Sequence, residues 1–554
     1  MSKHRGRLLL GTLVLTCTWL VLPVAAQRFQ TPHISVPDLR AWLESVAGDG
    51  TQGREVFQEG LASTASYLAE QLNTLGVEPA GENGTYYQTV KVLGVRNTGV
   101  STLTVTVNGE SRTFRDGEGV RFGKDQGRAR VVTGTVEFVG YGLEFAPIGH
   151  HDYQGRQVSG KVVVFMGGAP RELQDKDRRI LGYREQLALD GQRAIAIIRP
   201  QRPGEQPGTG DGFNRQPRAD FQAAEAYDVD RPPAVSVSDE VLAFVFRAAG
   251  VDFETLKAAA ERREALPRVD LRGVQVRFDL QPSYEVVQTR LTRNVVARVQ
   301  GSDPALRDTY LVFGAHYDHL GYVQRQGDFL PNVEDFCPGQ TRPVPRPDDI
   351  IYNGADDDGS GTVTMLALAK AFARGPKPRR SILFVWHAGE EAGLYGSRYM
   401  ADHPVVPLAA ISAQLNIDMV GRNRCDDPAE ADALYLVGSD RISTELHQIS
   451  VAANRAQPQP MTLDFSMNSP ADLEQLYSRS DHYSYARKGI PVIFFTTGLH
   501  RDYHALTDET SKIEFDKMAR VAEVVYETGW RVANLDHLPV RDNQGPRAIT
   551  RAPR

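Results

Sequence analysis

The chain changes its hydrophobic rhythm three times. Early on, "VFQEGLASTASYLAEQLNTLGV" repeats apolar residues every three or four positions, which predicts an amphipathic helix ending at Gly76. From about Thr102 the pattern shortens to alternating runs, "TLTVTV", "GTVEFVGYGL", "GKVVVFMGG" and "AIAIIRP", broken by Gly and Pro, so this stretch reads as strand-rich. From about Asn294 a third rhythm begins. The runs "NVVARVQG", "TYLVFGAHYD", "RSILFVWHAGEE", "AAISAQLNIDMVG", "ALYLVGSD" and "IPVIFFTTG" are buried-strand candidates separated by helix-length segments. That alternation predicts an α/β fold with a central mixed, largely parallel sheet flanked by helices, carrying the strand-rich stretch as an insertion. The last long helix is expected from about Glu509 to Val532.

Punctuation between these patterns sets the domain plan. "QRPGEQPGTGDGFNRQPR" is too rich in Gly, Pro and Arg to pack and reads as a mobile loop, and "RDNQGPRAITRAPR" reads as a disordered tail. At the N-terminus, "MSKHRGR" supplies positive charge, "LLLGTLVLTCTWLVL" an apolar stretch and "PVAAQ" a small-residue cleavage site, the layout of a secretory signal peptide cut after Ala26. The expected organisation is signal peptide 1–26, a main α/β domain from 27–122 and 283–537, an inserted domain 123–282, and a disordered tail 538–554. No later segment is apolar enough to span a bilayer, so the expectation is a secreted protein, periplasmic or extracellular, free of the membrane once the signal is removed.

Composition narrows the functional classes. A formal net charge of -6 and a pI near 6.1 supply no basic face, which argues against nucleic acid as the main partner. After signal cleavage two cysteines remain, Cys337 and Cys425; an oxidising compartment permits a disulfide between them and equally permits two free thiols. Oligomeric state leaves no mark on the sequence.

The chemistry-bearing residues fall at strand ends. "YNGADDDGSGTVTML" places Asp356, Asp357 and Asp358 side by side in front of a helix-like apolar run, a repulsion that water, a helix N-terminus or a cation must relieve. His316 and Asp318 follow "YLVFGA", Glu390 and Glu391 follow "ILFVWHAG", Asp418 follows "AQLNI", and "HRDYHALTDE" follows "IPVIFFTTG". In open α/β sheets ligands bind beyond the carboxyl ends of the strands, so these segments deliver imidazole and carboxylate groups to one rim. Nitrogen and oxygen donors without thiolate suit zinc or a similar borderline metal, and the adjacent glutamates divide naturally between metal ligand and base. His150 and His151 in "GHHDY" are adjacent and read as a polar surface turn.

"GAHYDHLG", "NGADDDGSG", "GEEAGLYGS", "NIDMVGR", "SDHYSYARKGIPVIFF" and "DYHALTDE", in this order, resemble the M28 family of co-catalytic zinc peptidases, to which many secreted aminopeptidases belong. "VEFVGYGLEF" and "VSGKVVVFMGG" resemble the protease-associated domain inserted in some members. The resemblance implies two zinc ions per chain: His316 and Asp418 on one, Glu391 and His504 on the other, Asp357 bridging both. It also implies Glu390 as general base, Asp318 orienting His316, Tyr503 supporting the oxyanion, and a cis bond after the bridging aspartate. Asp356 and Asp358 remain for supporting or helix-capping roles. The implied reaction is hydrolysis of N-terminal residues from peptides or proteins through a metal-bridging hydroxide. Dipeptidase, carboxypeptidase and glutaminyl cyclase chemistry belong to relatives of the same site, and a catalytically silent receptor-like binding protein is the reading from another class. Two departures stand out. The tract after His482 reads Tyr483, Ser484, Tyr485 where a Pro-Phe pair is usual, and "RQGDFLPNVEDFCPGQTRPVPRPDDI" is a long insertion beside the site that either shapes the cleft or is inert surface.

Overall fold

Every buried run expected downstream of Asn294 becomes a strand in the computed structural model. They are Tyr284–Val299, Tyr310–His316, Ser381–His387, Ile411–Ile417, Ala433–Val437 and Val492–Thr496. The structure describes residues 32–123, 125–201, 220–223, 229–323 and 331–546. The expected signal peptide, the Gly/Pro/Arg-rich run from residue 202 onward and the end of the tail, residues 547–554, lie outside the described residues.

The main sheet is mixed. Its middle consists of Ser381–His387, Tyr310–His316, Ile411–Ile417 and Val492–Thr496, all parallel neighbours. Antiparallel strands flank them: Tyr284–Val299 and then Tyr87–Asn97 on one side, Ala433–Val437 on the other. Strand alternation sends successive residues to opposite faces. On one face Phe313 packs against Phe372 of helix Gly361–Arg374 and against Phe384, ring centroids 5.7 and 5.5 Å apart. Helix Phe515–Ala533 closes over the same ring, and a Cβ on its Gly529 would come within 2.4 Å of Phe313, which explains the glycine. On the other face Val312 joins Met400, Tyr485 and Ile490. Helices Val36–Val46 and Glu59–Leu75 pack beside Gly361–Arg374. Glu59–Leu75 ends as expected at Gly76, whose φ of 75° completes a left-handed cap. The terminal helix starts later than expected, at Phe515, because Thr510–Lys512 form a separate 3₁₀ turn.

A second sheet lies between Tyr87–Asn97 and Tyr284–Val299 in the chain. Its order is Glu110–Arg115, Thr102–Val107, Val274–Leu280, Arg130–Phe138, Val162–Val164, Ala196–Pro200, Ala234–Val237 and Val120–Phe122. It has its own core, in which Phe138 meets Phe246 edge-on at 5.1 Å. The sheet begins at Thr102, upstream of the boundary expected at residue 123, because the alternating Leu103, Val105 and Val107 face this core. Conversely Asp220–Ala223 pairs with Tyr87–Asn97 in the main sheet.

Residues 538–546, expected to be disordered, lie against helix Thr444–Arg455. The Val540 amide donates to Glu445 Oε2 at 2.9 Å and the Asn543 amide to the Ile442 carbonyl at 3.1 Å. No described helix is long and apolar enough to cross a membrane.

Truncating Phe313 to alanine removes the ring on which both helices and the neighbouring strand close. The expected loss is about 3–5 kcal/mol of unfolding free energy, read as a lower urea midpoint. An unchanged midpoint would contradict this packing.

Candidate metal centre

Asp356, Asp357 and Asp358 are buried, with 0, 3 and 0% exposure, so the triplet is no solvated turn. Each carboxylate has its own partners. Asp356 accepts from the Gly421 amide at 2.6 Å and contacts His500 Nε2 at 3.1 Å. Asp358 accepts from the amides of Gly361, Met419 and His316 at 2.9, 3.2 and 3.2 Å, fastening the helix start to two strand ends. Asp357 alone points both oxygens at imidazoles: Oδ1 is 3.2 Å from His316 Nε2 and Oδ2 is 3.2 Å from His504 Nε2. The turn is held in this shape from behind, since the carboxylate of Asp508 accepts from the amides of Asp356 and Asp357. The peptide bond between Asp357 and Asp358 is cis, as the resemblance implied. Gly354, at φ 56°, begins the turn; a Cβ there would meet the Asp357 carbonyl at 2.2 Å and the His319 ring at 2.5 Å.

The parallel strands deliver the rest. His316 ends one strand, Glu390 and Glu391 follow the next, Asp418 follows the third, and His504 lies beyond the fourth. Around Asp357 they form two groups. In the first, Asp418 Oδ2 is 3.7 Å from His316 Nε2 and accepts from Ser480 Oγ at 2.7 Å. In the second, Glu391 Oε2 is 3.0 Å from His504 Nε2, and Glu391 Oε1 is 2.9 Å from His319 Nδ1. Seven expected residues, His316, Asp357, Glu390, Glu391, Asp418, Tyr503 and His504, line one cavity of about 310 Å³.

Asp318 sits behind this cavity. Its carboxylate lies 3.7 Å from His316 Nδ1, whose shorter contact, 3.2 Å, is to the Asp318 backbone carbonyl. The carboxylate oxygens instead accept from the amides of Glu390 at 3.1 Å and Glu391 at 3.3 Å. Asp318 thus orients His316 through its main chain and the two glutamates through its side chain.

Tyr503 stacks on His504 at 4.0 Å and accepts from Arg479 Nη2 at 3.0 Å. The long insertion reaches this point. Phe336 meets the Tyr503 ring edge-on, Arg342 Nη1 donates to the Tyr503 carbonyl at 2.7 Å, and Cys337 forms a disulfide with Cys425, Cα atoms 5.4 Å apart. The described part of the insertion, from residue 331, therefore buttresses the cavity rim.

Reasoning from sequence missed several supports. His319 stands inside the quoted "GAHYDHLG", and Asp508 inside "DYHALTDE"; the clustering of polar residues in those motifs was the available signal. Arg54 offered none. It is fully buried and donates to the carbonyls of Tyr317, Val46, Asn353, Gly354 and Asp357 at 3.0, 3.0, 2.6, 2.8 and 3.4 Å.

The electrostatics call for more positive charge. Burial resists ionisation of Asp357, yet His316 and His504 overcome it and hold its pKa well below the ordinary range. Burial also opposes protonation of the histidines, but the facing carboxylates raise His316 well above normal and His504 to about 10. Burial, then the neighbouring Glu391, Asp481 and Asp418, pushes Glu390 up, against the pull of His316. His316 and His504 are the groups that face these carboxylates, at positions where a metal cation would offset the same charge. The donor atoms of His316, Asp357 and Asp418 lie within 4.8 Å of one another, as do those of His319, Asp357 and Glu391. His319 Nε2 is buried with no hydrogen-bond partner. Imidazole and carboxylate donors in this density fit zinc.

Comparison with known proteins agrees with this chemistry. Residues 294–529 match the model of peptidase family M28. A probable zinc metalloprotease of Pyrenophora teres f. teres is 26% identical over 263 residues, 44% of this chain and 49% of that protein. A probable leucine aminopeptidase of Trichophyton verrucosum is 26% identical over 242 residues, 42% of this chain and 55% of that protein. The chain thus spans about half the length of the curated relatives it matches. Among solved structures, an aminopeptidase from Aneurinibacillus sp. strain AM-1 aligns over 93% of this chain and 96% of its own, with 17% identity and a TM-score of 0.43.

Replacing Asp318 by alanine frees the two glutamate amides without removing a cavity residue. Zinc affinity should fall about 10–100-fold with the fold intact, as read by chelator competition and circular dichroism. Wild-type affinity in this variant would contradict the anchoring role.

Proposed function

We propose, from the premise that residues 294–529 belong to peptidase family M28, that this protein is an exported binuclear zinc aminopeptidase that removes N-terminal residues from peptides. The observation that carries this reading is the bidentate placement of Asp357 between His316 and His504, with Glu390 beside it in the same cavity. His316 and Asp418 would hold one zinc ion, Glu391 and His504 the other, with Asp357 shared. Zinc there supplies Lewis-acid polarisation of the scissile carbonyl and acidifies a water toward neutrality.

The chain's own residues do the remaining work. Glu390 has no side-chain hydrogen bond among the described residues, so its carboxylate is free to take the proton of the attacking water and return it to the leaving amine. Because Asp318 fixes the amides of both glutamates, Glu390 and Glu391 keep separate tasks. Tyr503 accepts from Arg479, which leaves its own O–H to donate to the carbonyl oxygen as negative charge develops. Burial holds the Tyr503 phenol well above its usual pKa, with Asp357, Glu391 and Glu390 adding to the effect over the opposing pull of Arg479, so it stays a donor. The substrate's α-ammonium finds its complement in the carboxylates of the cavity.

The test is release of free amino acids from unblocked and N-acetylated peptides, with metal content measured on the same samples. Trimming of unblocked peptides alone, lost on chelation and restored by zinc, is expected. Glu390→Gln should retain the metals and lose at least about 10²-fold in kcat, whereas Asp357→Ala should lose the metals. Cleavage of the acetylated set, or equal metal loss in both variants, would overturn the reading.

A further inference from the structure

The acidic cavity does not end at the carboxylates. Beyond Glu390 and Leu394 it is lined by Arg398 of helix Tyr395–Asp402, and by Ser478 and Arg479. Arg398 and Ser478 also line a larger cavity, about 930 Å³, whose other lining includes Arg121, Phe122 and Ser236 of the second sheet and Arg231 from the segment before Ala234–Val237. The two spaces therefore meet at Arg398, and the insertion forms part of the chamber that leads to the proposed zinc site.

The guanidinium groups of this chamber are not equivalent. Arg479 is held by Glu474 Oε2 and by Tyr503, each at 3.0 Å. Arg231 pairs with Asp125 at 2.8 Å, and Arg487 meets Asp190 and the Tyr483 hydroxyl at 3.4 Å. Arg398 is exposed to the chamber, and its guanidinium has no hydrogen bond or ion pair among the described residues. Crowding between the walls, then the like charges of Arg231 and Arg487, hold its pKa below the usual arginine value. An unpaired cation among cations is where an anion gains most, and a planar guanidinium is suited to gripping a carboxylate through two hydrogen bonds.

We infer that Arg398 anchors a carboxylate of the peptide substrate, so that the enzyme selects peptides bearing negative charge close to the scissile bond. The inference rests on the aminopeptidase reading of the neighbouring site and adds its substrate class. A peptide bound this way is dipolar. Its ammonium faces the carboxylate end of the cavity, its carboxylate faces Arg398, and the second sheet closes the side of the chamber. Three sources present the same group: an acidic first side chain, an acidic second side chain, or the free C-terminus of a dipeptide.

Binding separates this claim from catalysis. Zinc-loaded Glu390→Gln protein is titrated calorimetrically with matched pairs: Glu-Ala-Ala-amide against Gln-Ala-Ala-amide, Ala-Glu-Ala-amide against Ala-Gln-Ala-amide, and Ala-Ala against Ala-Ala-amide. At least one charged member should bind about tenfold or more tightly than its neutral partner, and the pair that discriminates names the source. Adding Arg398→Gln should bring that ratio close to one, while Arg398→Lys retains part of it. Arg398→Met, which keeps the aliphatic stem, serves where the glutamine variant does not fold. Equal binding within all three pairs, or a preference that survives loss of the guanidinium, overturns the inference. Turnover of the neutral peptides by the wild-type enzyme reads the parent proposal separately: turnover without discrimination sinks only the carboxylate anchor, and discrimination without turnover sinks only the peptidase.

Discussion

One buried cation holds together the segments on which the site is built. Arg54 reaches carbonyls at the last turn of helix Val36–Val46, on the loop carrying Asp318, and on the turn carrying Asp357. These contacts span up to 303 positions in sequence. Burial lowers its pKa, and Asp318, Asp357, Asp508 and Asp358 act in the opposite sense, favouring the charged guanidinium. A charge so fully removed from water is tolerated because each of its hydrogen-bond directions is filled. Without it, carbonyls from three segments would lose their common donor and the acidic turn its nearest fixed counterion.

Above Arg54 the carboxylates divide into those that hold backbone and those that face the cavity. Asp356, Asp358, Asp318 and Asp508 spend their oxygens largely on backbone amides, which sets the turn and the strand ends relative to one another. Asp357, Glu391 and Asp418 face imidazoles and the cavity. The same residue type serves both purposes, and only its neighbours decide which. Rigid backbone anchoring of the first set is what allows the cavity-facing carboxylates to stay close despite their repulsion. On the rim, the disulfide and the Phe336 contact extend this order to Tyr503.

Much of this was legible in the sequence, for identifiable reasons. The buried strands announce themselves by apolar runs, and their carboxyl ends, where His316, Glu390, Glu391 and Asp418 stand, are a topological consequence of parallel pairing. The motifs supplied Asp357, Tyr503 and His504. Arg54 could not be read because its partners are backbone carbonyls, which carry no sequence signature. The start of the second sheet was misplaced by some twenty residues, from Thr102 to position 123, since alternating strands look alike whichever sheet they join. Asp318 was expected to orient His316; its carbonyl makes the 3.2 Å contact, while its side chain takes the amides of the two glutamates. Choosing between two acceptors on one residue lies beyond spacing. Arg398 likewise gains its meaning only from the wall that the insertion places opposite it.

Asp357 is proposed to lie between two metal ions. X-ray diffraction from zinc-loaded crystals, collected at the zinc absorption edge, tests this directly. Two anomalous peaks per chain are predicted, one among His316, Asp357 and Asp418 and the other among Asp357, Glu391 and His504. A single peak, or peaks that leave Asp357 outside both coordination shells, would contradict it.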